Sequence, residues 1–141
     1  MNAYLDTSVV VAASTREAST ARVQPWVADQ SAGSILISDW VVAEVSSALS
    51  LKVRTGVLDP AERVAAAAVF RRQMANSFRI LPVSKDHFEA AARLADRYDL
   101  GLRAGDALHL AIAADNRTTL VTLDRRLFAA AQALGHAGET V

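Results

Sequence analysis

Four acidic residues stand where a fold could bring them to one place. Asp6 follows the apolar run Ala3-Tyr4-Leu5, and Asp124 follows Thr119-Leu120-Val121-Thr122-Leu123. Asp106 opens the run Ala107-Leu108-His109-Leu110-Ala111-Ile112-Ala113, and Glu44 lies in Trp40-Val41-Val42-Ala43-Glu44-Val45. Converging carboxylates force some of their pKa values up unless a cation neutralises them. Hard oxygen donors, with no Cys and no paired His, select Mg²⁺ or Mn²⁺ over zinc or copper. Such an ion keeps several waters and shares a phosphate oxygen, which is the chemistry of phosphodiester hydrolysis.

Each acid also has a structural explanation. An Asp ahead of a helix is a favoured N-cap, worth about 1 kcal/mol. Asp39, after Ile37-Ser38, reads as no more than such a cap, and Glu44 five residues on is the better functional candidate. Glu44 is the only charge between Asp39 and Lys52, in a helical stretch apolar around most of its circumference. A helix of that kind is expected to be largely buried, where a lone carboxylate needs a partner or a metal. The alternative puts Glu44 on the helix's one solvated stripe, with Ser47 and Leu51.

The elements that must position these acids are short. Strand-like runs fall at Ala3-Tyr4-Leu5, Ser34-Ile35-Leu36-Ile37, Arg79-Ile80-Leu81-Pro82-Val83 and Thr119-Leu120-Val121-Thr122, with a weak fifth at Glu139-Thr140-Val141. Helical signals separate them. Asp59-Pro60-Ala61-Glu62 is a capped helix start, Ser84 caps the next helix, and Gly101 fits its stop. Strands that are apolar without alternation, interleaved with helices, indicate an α/β three-layer sandwich. Its central parallel sheet has four to five strands, with helices on both faces. Functional groups in such folds gather beyond the carboxyl ends of the strands.

Composition narrows the class further. The chain has 141 residues, 52% of them hydrophobic and 21% charged, which suits a single domain over residues 1–141. The absence of Cys excludes disulfide frameworks, thiolate zinc sites and cysteine nucleophiles. No apolar run approaches the ~20 residues of a membrane span. The first residues lack a basic segment and meet Asp6 early, so the expected location is the cytoplasm. Fifteen basic residues balance fifteen acidic ones, which argues against a strongly basic nucleic-acid binder. Thirteen of the basic residues are Arg. Arg suits bidentate phosphate contact, although a compositional bias that also enriches Ala explains the excess as well.

The ordered set of motifs resembles the PIN domain, specifically the VapC type of ribonuclease toxin from toxin–antitoxin pairs. The matching pieces are Tyr4-Leu5-Asp6-Thr7-Ser8-Val9-Val10, Ala43-Glu44-Val45, Gly105-Asp106-Ala107-Leu108-His109-Leu110-Ala111 and Thr122-Leu123-Asp124-Arg125-Arg126-Leu127. The resemblance implies a metal-dependent endoribonuclease with Asp6, Glu44, Asp106 and Asp124 around one or two Mg²⁺ or Mn²⁺ ions. It makes Asp6 and Asp106 the principal ligands. Glu44 would ligate or orient the attacking water, and Asp124 would complete a second metal position or act through water. Ser8 and Thr122 match hydroxyl positions that steady the carboxylates. The resemblance also implies an RNA substrate, a homodimer and a small antitoxin partner whose tail wraps the toxin. Leu127 departs from the pattern, standing where an aromatic is common.

Other readings are weaker. His109, three residues after Asp106, reads as packed or hydrogen-bonded rather than as a base, and the three scattered His residues form no metal spacing. Arg103, Arg125 and Arg126 flank two acidic motifs, as RNA contacts or as solvated helix ends. A phosphatase of the haloacid-dehalogenase type would also place an Asp after its first strand. It needs a second Asp two residues on, where this chain has Ser8. A PIN-like binding module without catalysis would show gaps in the acidic set, and there are none.

Overall fold

The computed structural model describes residues 2–141. Five parallel strands form one sheet: β1 (Ala3–Leu5), β2 (Ile35–Ser38), β3 (Phe78–Leu81), β4 (Thr119–Val121) and β5 (Gly138–Glu139). Their spatial order is β3-β2-β1-β4-β5, with Ala3 opposite both Ile35 and Thr119. Seven helices connect or flank them among the described residues: α1 (Thr7–Ser14), α2 (Thr20–Ala28), α3 (Asp39–Arg54), α4 (Pro60–Asn76), α5 (Lys85–Asp96), α6 (Ala104–Asp115) and α7 (Arg125–Ala133).

The chain steps outward from β1 to β2 and β3, then returns across β1 to β4 and continues to β5. Right-handed crossovers in opposite directions put their helices on opposite faces. Accordingly α1, α2, α3 and α4 pack together as one layer, and α5, α6 and α7 as the other. This is the three-layer α/β sandwich expected from the sequence. All three residues of β1 are buried, because helices cover both of its faces. The core joins Tyr4 and Leu5 of β1 to Val9 and Val10 of α1, Ile37 of β2, Leu110 and Ile112 of α6, and Leu120 of β4.

Local signals explain most element boundaries. Asp59 and Glu62 form the reciprocal capping box of α4, with Pro60 in its first turn. Ser84 caps α5, and His87 closes that capping box where Glu or Gln is usual. Several boundaries differ from the sequence reading. β2 runs one residue later than Ser34–Ile37, β4 ends before Thr122, and β5 ends at Glu139 rather than Val141. Three further differences have a local cause. Ser38, not Asp39, is the N-cap of α3: its hydroxyl accepts from the Val41 N–H, and Asp39 is the first helical residue, where a negative charge favours the helix dipole. Gly101 does not stop α5, which ends at Asp96; its positive φ of 65° closes the 3₁₀ turn Tyr98–Leu100 that follows. The third strand also ends before Pro82, which has no N–H for a ladder.

α3 is amphipathic rather than buried all round. Val41, Val45 and Leu49 face the core at four-residue spacing, while Ala43, Ser46 and Ser47 are exposed. The small residues on its outer face are apolar or neutral by type but too small to demand burial. Among the described residues, no helix is long and apolar enough to cross a membrane.

Replacing Asp59 by Ala opens the capping box of α4. The expected loss is about 1 kcal/mol of unfolding free energy in urea titration, with the m-value unchanged.

Candidate active site

The order reversal between β1 and β4 opens a crevice at the carboxyl ends of these two strands, and the acids lie along it. Asp6 leaves β1 directly and caps α1, accepting from the Val9 N–H at 3.3 Å. It is only 4% exposed. Ser8 Oγ donates to its Oδ1 at 2.5 Å, and Thr122 Oγ1 donates to its Oδ2 at 2.5 Å. Burial raises the Asp6 pKa above the ordinary carboxylate range, against the pull of these three donors.

Asp124 follows β4 and caps α7, accepting from the Arg126 and Leu127 N–H groups. Its backbone N–H donates to Thr122 Oγ1 at 2.9 Å, and the Leu123 N–H donates to Ser8 Oγ at 3.0 Å. Both hydroxyls thereby link the start of α1 to the start of α7. Asp106 sits in the first turn of α6, whose N-cap position is held by Arg103 without a side-chain cap bond. Capping therefore does not account for Asp106. Its pKa is raised by burial first, then by the negative charges of Asp124, Asp6 and Glu44.

Glu44 projects from α3 with its side chain 31% exposed, neither buried nor on the open stripe with Ser47. Thr7 Oγ1 donates to its Oε1 at 2.7 Å, and His109 Nε2 lies 2.5 Å from the same oxygen. Partial burial pushes the Glu44 pKa up, but the His109 and Thr7 bonds outweigh it and hold the carboxyl below its ordinary range. His109 is 3% exposed and is hydrogen-bonded, as expected, but its partner is one of the acids. Thr7 was not singled out by its sequence. Its one signal is its place beside Asp6 at a helix start.

Glu44, Asp106 and Asp124 share a cleft of about 570 Å³ with Arg103, Gly105 and Arg126. Asp6 does not line it and acts on the cleft through its charge. Arg126 leans on the 3₁₀ turn, its Nη1 3.5 Å from the Gly101 carbonyl oxygen. Arg125 is exposed and outside the cleft lining. Among the described residues no three His, Cys, Asp or Glu side chains stand close enough together, as placed, to hold an ion. The donor set nevertheless suits a hard cation that keeps part of its water shell: oxygen donors only, mutually repelling, with unfavourably placed negative charge.

A model of the PIN domain family matches residues 3–133. The chain belongs to the PIN domain family. It is 30% identical over 115 residues to ribonuclease VapC26 of Mycobacterium tuberculosis, spanning 80% of this chain and 79% of that protein. The crystal structure of VapC20 from the same species, a sarcin–ricin loop cleaving toxin, superposes with a TM-score of 0.72 at 23% identity. That match covers 92% of this chain and 95% of VapC20. A toxin–antitoxin complex from Klebsiella pneumoniae gives a TM-score of 0.61 at 21% identity, covering 91% of each chain. This PIN domain is thus distantly similar to the VapC ribonuclease toxins, and family membership sets aside the phosphatase reading.

Gly105 of this PIN domain has an ordinary helical φ, yet a Cβ there would lie 3.3 Å from Glu44 Oε2 and 3.7 Å from Trp40. Gly105→Ala should stabilise α6 by up to about 1 kcal/mol through helix propensity. The same methyl group presses on Glu44. Thermal melts should therefore gain less than helix propensity alone allows; a gain of the full ~1 kcal/mol would show that Glu44 has room to give.

Proposed function

We propose that this PIN domain is a metal-dependent endoribonuclease, the toxin of a VapBC-like pair. The observation that carries the reading is the convergence of Glu44, Asp106 and Asp124 on one cleft, with Asp6 buried close enough to raise the Asp106 pKa. Asp6 and Asp106, with Glu44 and Asp124, would hold Mg²⁺ or Mn²⁺. When bound, the ion supplies an activated water and neutralises charge building on the phosphate.

The chain's own groups have separate tasks. Ser8, Thr122 and the Val9 N–H take up three of the roughly four lone-pair sites of Asp6 and favour its ionised form against burial. Glu44, held below the ordinary carboxylate range, stays ionised and can accept a hydrogen bond that orients water. Arg103 and Arg126 border the cleft, and among the described residues neither makes an ion pair. Each is suited to a phosphate oxygen of the RNA backbone, a role for which Arg geometry is favourable. Arg125 lies outside the lining and reaches at most the flanking strand. The reading also carries a homodimer and a small antitoxin partner. The similarity to VapC26 and the shared fold with a solved toxin–antitoxin complex support the antitoxin partner.

Purified protein should cut a mixed RNA pool into discrete fragments with Mg²⁺ or Mn²⁺, and EDTA should stop it. Asp6→Asn and Asp106→Asn should each lower cleavage by more than about 100-fold while keeping the far-ultraviolet circular dichroism spectrum. No cleavage by folded, antitoxin-free protein would favour a binding module instead.

The charge on Asp106 has a second consequence. Its folded-state pKa is raised, so ionisation is less favourable in the folded than in the unfolded chain. In the metal-free protein, stability from this group therefore rises as pH falls toward the carboxylate range and is lowest at neutral pH. Asp106→Asn removes that penalty. Its melting temperature without metal at pH 7 should exceed the parent's, and Mn²⁺ should raise it less than it raises the parent's.

A further inference from the structure

A line of buried polar groups runs from the sheet to Glu44, and its protons can be counted. Tyr4 and Ser38 are fully buried and His109 nearly so. Tyr4 Oη lies 2.8 Å from Ser38 Oγ and 2.9 Å from His109 Nδ1. At the other ring nitrogen, Nε2 lies 2.5 Å from Glu44 Oε1.

The direction of the line is set at its inner end. The Val41 N–H donates to Ser38 Oγ at 3.4 Å, as the cap of α3 requires. Among the described residues, the acceptor within reach of the Ser38 proton is then Tyr4 Oη. The Tyr4 proton must point to Nδ1, which therefore carries none, and the ring's single N–H sits on Nε2 facing the carboxylate. Reversing the line would put a proton on Nδ1 and turn the Tyr4 hydroxyl onto Ser38. The Ser38 proton would then be stranded in a fully buried place.

We propose that His109 is a positioning residue: as the Nε2–H tautomer fixed by Tyr4 and Ser38, it holds Glu44 by Oε1. Thr7 donates to that same oxygen at 2.7 Å. Oε2 accepts no hydrogen bond among the described residues and lies against Gly105 at the cleft wall. Glu44 thus offers the cleft a single, oriented oxygen rather than a freely rotating carboxylate. The consequence for metal binding rests on the nuclease reading; the tautomer does not.

Two measurements separate these. In ¹⁵N-histidine-labelled protein at neutral pH, the His109 ring, assigned by its absence in His109→Gln, should show the Nε2–H pattern. Tyr4→Phe, which removes the donor to Nδ1, should shift it toward a mixture. By electron paramagnetic resonance, Tyr4→Phe and His109→Leu should weaken Mn²⁺ binding by about 10-fold or more, in the range seen for partners of metal ligands. His109→Gln, whose amide can donate to Glu44, should recover part of that loss. In a Glu44→Gln background the same changes should cost nothing further.

A ring protonated on Nδ1, or on both nitrogens, in the parent protein would overturn the proposal. So would parent-like Mn²⁺ affinity in folded His109→Leu. Parent protein that binds no Mn²⁺ would overturn the nuclease reading instead, and the ring pattern would then decide this one.

Discussion

A carboxylate buried at the end of the central strand has to be satisfied before the sheet can close around it, and the site is built outward from that requirement. Asp6 is taken out of water with a charge that favours solvent, and three donors from α1 and from Thr122, just after β4, offset part of that cost. Two of these donors are hydroxyls that also accept: Ser8 from the Leu123 N–H and Thr122 from the Asp124 N–H. The result is a closed set of hydrogen bonds tying the first turn of α1 to the loop before α7. These segments are far apart in sequence and adjacent only because β1 and β4 pair in parallel. The buried carboxylate at the end of β1 is thus a staple across the switch point.

That double duty divides the acids into two kinds. Asp6 and Asp124 cap helices, so part of their presence is structural, and each accepts from backbone N–H donors. Asp106 and Glu44 cap nothing. Asp106 sits in the first turn of α6, partly buried and with like charges for neighbours, and its raised pKa records a local conflict that no hydrogen bond among the described residues relieves. Conflicts of this sort between stability and charge placement concentrate at functional sites. In this domain it is the non-capping acids that argue most directly for a function beyond the fold.

The fold and the four acids were legible because their signals are local. Short apolar strands, the Asp59 and Ser84 caps and the acids just beyond β1 and β4 can be read within a few residues. What escaped depends on distance or on small differences. Asp39 and Ser38 are both good caps, and the choice between them turned on which side chain met the Val41 N–H. The stretch around Glu44 contains Ala and Ser residues whose exposure costs little, so a count of charges overstated its burial. His109 and Thr7 meet Glu44 across 65 and 37 residues, a contact that periodicity cannot predict. A buried His on an apolar helix does announce a polar partner; it does not say which.

The tripeptide Asp6-Thr7-Ser8 shows how little sequence is needed to order the site. Successive residues of a helix's first turn point about 100° apart, so adjacent hydroxyls serve different acids. Ser8 turns back to Asp6 and across to the Leu123 N–H, while Thr7 turns sideways to Glu44. Both carboxylates are therefore held from the same rigid turn, which is itself seated by Val9, Val10 and Val11 in the core. Sites supported from packed elements lose less freedom when a ligand arrives than sites on loops do. Asp6 and Glu44 are already oriented by hydroxyl and imidazole partners before any ion binds. The adjustable member of the set is then Asp106, which no side-chain cap or hydrogen bond among the described residues holds.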